Sequence, residues 1–163
     1  MIVDAARDPR IFGLLLECFY LEHTCLFSGS IAPELQVVAP YLVRLDYDDQ
    51  KTRHFIGHAW GNSWGVFLKC DTRLETLRRH LRTFLMVRDE TGDRLMFRYY
   101  DPRVLKVYLP TCTTDELHTV FGPIDRFLVE EPPETLLEFC FDRKQLTRTR
   151  LSLSQSTTNK SGL

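Results

Sequence analysis

The stretch Phe97-Arg98-Tyr99-Tyr100-Asp101-Pro102-Arg103-Val104-Leu105 decides how this chain is read. Its first half is aromatic and alternating, the pattern of a half-buried strand. Asp101-Pro102 then opens a helix. Aspartate is a favoured N-cap because its carboxylate accepts a free first-turn N–H, and proline next to it has a fixed φ and no donor to lose. The spacing predicts a strand-to-helix switch with almost no loop. On that strand Arg98 shares a face with Met96 and Tyr100, opposite to Leu95, Phe97 and Tyr99.

Moving toward the N-terminus, residues 85–89 and 95–100 flank Thr91-Gly92-Asp93 and predict a β-hairpin, with Gly92 supplying the positive φ of the turn. Before it, Thr72-x-x-Glu75 has the form of a capping box and predicts a helix over 72–85. Leu74, Leu77, Leu81, Phe84 and Leu85 make its apolar stripe, and Arg78, Arg79 and Arg82 fall mostly elsewhere. Trp64–Lys69 reads as a central strand. Residues 51–60 are expected to be helical and to close at Gly61, and residues 41–45 to be a strand. A loop with Gly29 and Pro33 precedes them. Asp8-Pro9-Arg10 repeats the Asp101 cap and starts a helix running to about Glu22, apolar on most faces and therefore buried. Residues 1–3 form a short first strand.

Moving toward the C-terminus, a short helix ends at Pro110, and Thr113-x-x-Glu116 is a second capping box whose helix stops at Phe121-Gly122-Pro123. Strands are expected near 126–130 and 136–141. The end of the chain is rich in Ser, Thr and Lys and is expected to be a disordered tail. The expected fold is a single α/β domain over residues 1–145, a mixed β-sheet packed against helices with a β-hairpin, followed by a short disordered C-terminal tail over 146–163.

Composition narrows the function classes. The chain has 163 residues, enough for one domain with a proper core. Its 21 Lys and Arg against 22 Asp and Glu argue against a nucleic-acid binder, which carries a basic excess. Five scattered cysteines without a C-x-x-C pair predict reduced thiols rather than a disulfide framework or a zinc site. The most apolar N-terminal stretch is too short and too charged to cross a bilayer, so no membrane insertion is expected.

Each candidate for chemistry has a plainer reading beside it. His80 could act as a base, and Cys70, His80 and Asp101 could be written as a triad. Nothing around Cys70 presents a thiolate, and His80 reads better as a half-buried histidine bonded to a neighbouring element. His54 and His58 stand at i, i+4, but no third ligand accompanies them. Gly61-Asn62-Ser63-Trp64-Gly65 lacks the lysine and spacing of a phosphate loop and reads as a helix stop that sends Trp64 into the core. Arg98, Tyr100 and Arg103 differ in kind, because Tyr and Arg are the residues that most often carry interface energy. The alternative for Arg98 and Arg103 is an ion pair with Asp101 or another carboxylate inside the fold.

A resemblance adds to this reading. Asp4-Ala5-Ala6-Arg7-Asp8-Pro9, Ala39–Leu45, Trp60–Phe67, Leu77–Leu85, Phe97–Leu105 and Phe121-Gly122-Pro123, in this order, resemble the type VI secretion system effector chaperone, or adaptor, family, the bacterial "domain of unknown function 4123" family. The resemblance spans residues 1 to about 130. It implies a non-enzymatic cytoplasmic protein, without cofactor or metal, that binds a toxic effector and helps load it onto the valine-glycine-repeat (VgrG) spike protein. Longer relatives carry a second, variable C-terminal lobe associated with cargo choice; for this chain two expectations stay open, a sequence ending before such a lobe and a short-form member acting with a second chaperone chain. The expected partner-binding residues are Arg98, Tyr100, Arg103, Arg79 and Arg82. Asp8, Pro9, Trp64, His80, Phe97, Asp101 and Pro102 are expected to be structural. Two other functions stay open: a hydrolase or transferase using His80 with Asp101 or Cys70, and a toxin-neutralising immunity-like protein.

Overall fold

Nine short strands and six helices alternate along the computed structural model, which describes residues 1–20 and 22–153. The strands are β1 (Ile2–Asp4), β2 (His23–Cys25), β3 (Pro40–Val43), β4 (Gly65–Lys69), β5 (Met86–Arg88), β6 (Arg94–Met96), β7 (Arg126–Glu131), β8 (Thr135–Phe141) and β9 (Leu146–Ser152). The helices are α1 (Arg10–Phe19), α2 (Pro33–Gln36), α3 (Gln50–Ala59), α4 (Leu74–Arg82), α5 (Pro102–Tyr108) and α6 (Thr114–Phe121). Seven strands form one sheet in the order β2-β3-β1-β4-β7-β8-β9, and β5–β6 stand apart as a two-stranded ribbon. The α/β domain expected from the sequence is present, with one correction. Every pairing among the described residues is antiparallel, so the sheet is not mixed.

The period-two alternation of the strands sorts the interior into two cores. Ile2, Leu42 and Val66 face one side with Phe127, Val129 and Phe139, where Leu77, Leu81, Leu105 and Phe121 of α4, α5 and α6 close over them. Their sequence neighbours Val3, Tyr41 and Val43 face the other side, under Ile11, Leu15, Phe55 and Ala59 of α1 and α3. A fully buried ring such as Phe55 or Phe127 contributes about 1.5–3 kcal/mol by leaving water. β1 lies in the middle of the sheet between β3 and β4. It approaches β4 so closely that a Cβ on Gly65 would sit 1.9 Å from the Ile2 carbonyl oxygen, so only glycine fits there.

Several local expectations need correction. β6 ends at Met96, and residues 97–100 form an irregular link and turn before α5 rather than a continued strand. The Thr72–Glu75 capping box does not form: α4 begins at Leu74, its N-cap is Arg73, and no side chain caps it. The box at Thr113–Glu116 does form, with both reciprocal bonds. α1 stops at Phe19 and buries one stripe, leaving Leu16 and Tyr20 exposed. Leu146–Ser152, assigned to the tail, is β9 and pairs along its whole length with β8. The remainder of that tail, 154–163, lies outside the described residues. No helix among the described residues is long and apolar enough to cross a membrane.

Candidate functional site

Asp101 answers the question posed by the opening stretch. Its carboxylate accepts the Arg103 backbone N–H at 2.9 Å and two bonds from the Arg103 guanidinium, Nε at 3.0 Å and Nη2 at 2.6 Å. Arg103 therefore locks the cap that starts α5, although its own side chain remains exposed. Burial pushes the Asp101 carboxyl up, but the Arg103 bonds outweigh it and hold the carboxyl below its ordinary range.

Arg98 reaches across the molecule. Its Nη2 donates to Oδ2 of Asp4, a carboxylate that is 1% exposed, while Oδ1 of Asp4 accepts the Ala6 N–H at 3.2 Å and caps a 3-10 turn over Ala5–Arg7. The charge of Arg7, in turn, draws the Asp101 carboxyl down. The Asp4–Arg98 ion pair thus joins two segments 94 residues apart in the chain, and Arg7 acts on Asp101 only through its charge. This explains why both stretches carry the motifs read in the sequence. Tyr100 is buried beside this pair, its hydroxyl 3.3 Å from Met96 Sδ, and burial together with the Asp4 charge pushes it up to about 12.

The same residues form one wall of a cleft of about 1020 Å³. The alternation read for residues 95–100 survives the loss of the strand: Met96, Arg98 and Tyr100 line the cleft, while Phe97 and Tyr99 pack toward the core. Arg79 and Arg82, from the end of α4, line another wall, so Arg79, Arg82, Arg98 and Tyr100 come together and Arg103 does not. Sequence reasoning missed Arg94 of the ribbon and the apolar floor of Leu26, Leu35, Val38 and Met86. Leu35, Val38, Met86 and Met96 are between 39% and 51% exposed, which is high for residues of this type gathered in one depression. Arg78 was also missed as a structural residue. Its guanidinium donates to the carbonyls of Cys25 (2.7 Å) and Phe27 (3.1 Å) and so fixes the loop that forms the back of the cleft.

The catalytic alternatives are dispersed. His80 Nε2 lies 3.0 Å from the Val120 carbonyl oxygen, so this nitrogen carries the proton, and its ring packs on Phe84 at 5.3 Å. It lies so close over Gly122 that a Cβ there would meet Cε1 at 2.3 Å; with a φ of +45° at the end of α6, Gly122 is required on both counts. Cys70 lines a different depression, with Leu74 and Leu77. Among the described residues no hydrogen bond joins His80, Asp101 and Cys70. The His54 and His58 rings stack edge to face at 4.8 Å on the exposed side of α3, and no cluster of metal-ligand type occurs among the described residues. Asp8, Pro9, Trp64, Phe97 and Pro102 all hold the fold: Asp8 and Pro9 start α1, Trp64 packs on Phe55, Phe97 packs on Tyr108 and Pro102 is buried in the first turn of α5.

A family model described as "Domain of unknown function (DUF4123)" matches residues 1–119. The match takes in both segments joined by the Asp4–Arg98 pair and every wall of the cleft. No curated protein and no solved structure matches the chain.

Proposed function

Because the chain belongs to the DUF4123 family, we propose that it is a cytoplasmic adaptor that binds a type VI secretion effector and helps load it onto the VgrG spike, without catalysing a reaction. The observation that carries this reading is the convergence of Arg79, Arg82, Arg98 and Tyr100 on one exposed apolar cleft. Arginine and tyrosine around exposed aliphatic and methionine side chains have the composition of a protein-binding surface. His80 and Asp101 are both engaged in holding helix ends, which favours binding over chemistry.

Co-expression with the C-terminal region of a VgrG spike and a candidate effector tests the proposal. A stable complex is expected to be recovered by pull-down on the adaptor. Failure to capture either partner would overturn it. Deletion of the gene separates the adaptor from an immunity protein: secretion of the effector stops in the first case, and the producing cell dies in the second.

A further inference from the structure

We propose that the cleft beside Asp4 and Arg98 takes an acidic amphipathic helix of the partner protein, an assignment that rests on the adaptor reading. Charge is the first argument. Arg79, Arg82, Arg94 and Arg98 line the cleft against a single carboxylate, Asp4, which Arg98 already neutralises. This excess is local, since the whole chain carries 21 basic and 22 acidic residues. Arg79 and Arg94 have no hydrogen bond or ion pair among the described residues, so their donors face the cleft or water. A cluster of guanidiniums around a low-dielectric floor attracts carboxylates and sets the register of whatever carries them.

The floor supplies the second argument. Leu35 and Val38, together with Met86 and Met96, come from separate elements, and a small polar anion would leave that apolar surface in water. The floor consists of side chains and is not the open edge of one strand, so an occupant has to satisfy its own backbone, as a helix does. Met86 and Met96 stand directly opposite each other in the ribbon, and methionine adapts its shape to an aliphatic row. The ribbon is exposed at every position of both strands, so Met86 and Met96 are open to an occupant. Residues 154–163 of the chain itself are a poor match, because they include Lys160 and no acid.

Fluorescence anisotropy with two peptides of about 15 residues, one Leu/Glu and one Leu/Lys at helical spacing, tests the assignment on the full chain. The Leu/Glu peptide is expected to bind at least about tenfold more tightly, and Arg79→Glu with Arg94→Glu to reverse that preference. Both arginines lack internal partners, so unchanged thermal melting is expected to show that the double variant is folded. Met86→Ser is expected to weaken the Leu/Glu peptide without changing the preference. Equal binding of both peptides, binding of neither, or a folded double variant with the wild-type preference would overturn the assignment. So would a dimer of this chain that the double variant dissolves, because the occupant would then be a second copy. In the pull-down, a complex retained in full by the double variant would leave the adaptor reading standing and remove the cleft from it. Peptide discrimination without any captured effector or spike would do the reverse.

Discussion

Asp8 and Asp101 stand in the same tripeptide, Asp-Pro-Arg, and make the same bonds. Each accepts the backbone N–H of its arginine at 2.9 Å, and each is gripped through the arginine Nε and Nη2, with the Nη2 bond at 2.6 Å in both. What differs is the surroundings. The Asp8 side chain is 21% exposed and starts α1 at the surface, whereas the Asp101 side chain is 4% exposed, with Arg7 and Tyr100 contributing to its surroundings. One local motif therefore does two jobs: at Asp8 it only begins a helix, while at Asp101 it also fixes the seam between the N-terminal segment and the wall of the cleft.

The most direct way to break this comparison is to remove each carboxylate. Asp101→Ala removes the buried N-cap of α5 together with its bonds from Arg103, and the expected loss is about 2 kcal/mol. Asp8→Ala removes a turn bond before α1, whose N-cap is Pro9, and a largely solvated pair, and is expected to shift the chemical-denaturation midpoint much less. Equal shifts in urea would show that burial does not distinguish the two turns. The seam also predicts that Asp101→Ala, and not Asp8→Ala, lowers affinity for the Leu/Glu peptide.

How far these turns could be read in advance follows from the range of the forces involved. The caps at Asp101 and Thr113 are contacts within three residues, and residue type alone announces them. Thr72 misled because α4 enters its first turn only at Leu74, which places the threonine one residue too early. Sheet polarity was beyond reach: β1 pairs with β3 and β4, and nothing in Ile2-Val3-Asp4 says which neighbours it will have or in which direction they run. Leu-Thr-Arg-Thr-Arg-Leu-Ser of β9 is polar and reads as tail, yet an edge strand paired on one side needs few apolar residues. In the site, the arginines and Tyr100 were legible as interface residue types. The Asp4–Arg98 pair and the floor between α2 and the ribbon depend on long-range packing and leave no local pattern.

An effect of similar size sharpens the same contrast from the arginine side. Arg98→Ala is expected to cost about 2 kcal/mol, because Asp4 is buried and would keep only its bond from the Ala6 N–H. Arg10→Ala is expected to cost less, since the Asp8 carboxylate is partly in water already and keeps its bond from the residue-10 backbone N–H. Thermal melting of the two variants decides this. A loss for Arg10→Ala as large as that for Arg98→Ala would mean that burial of Asp4 does not make its pair stronger than the Asp8 pair.

The smallest effect, the pH response, ranks the two turns in the opposite order. Both carboxyls lie below their ordinary value of 3.8 when folded, so each contributes stability that is fully present above the unfolded value and is lost as pH falls through the folded one. At Asp8 the bonds from Arg10 outrank the opposing effect of burial, and the carboxyl is drawn down to about 2. At Asp101 burial works against the charged form first, and the bonds from Arg103 leave only the remainder as a net depression. The carboxyl that matters more to the fold is thus expected to be displaced less. Carbon-detected NMR titration at low salt should show Asp8 titrating at about 2 and Asp101 below its ordinary carboxylate range. Added salt should move Asp8 upward more than Asp101, because screening acts on the exposed pair. If Asp101 instead titrates below Asp8, its partners outweigh burial by more than the geometry implies, and the seam is more polar than the 4% exposure of its carboxylate indicates.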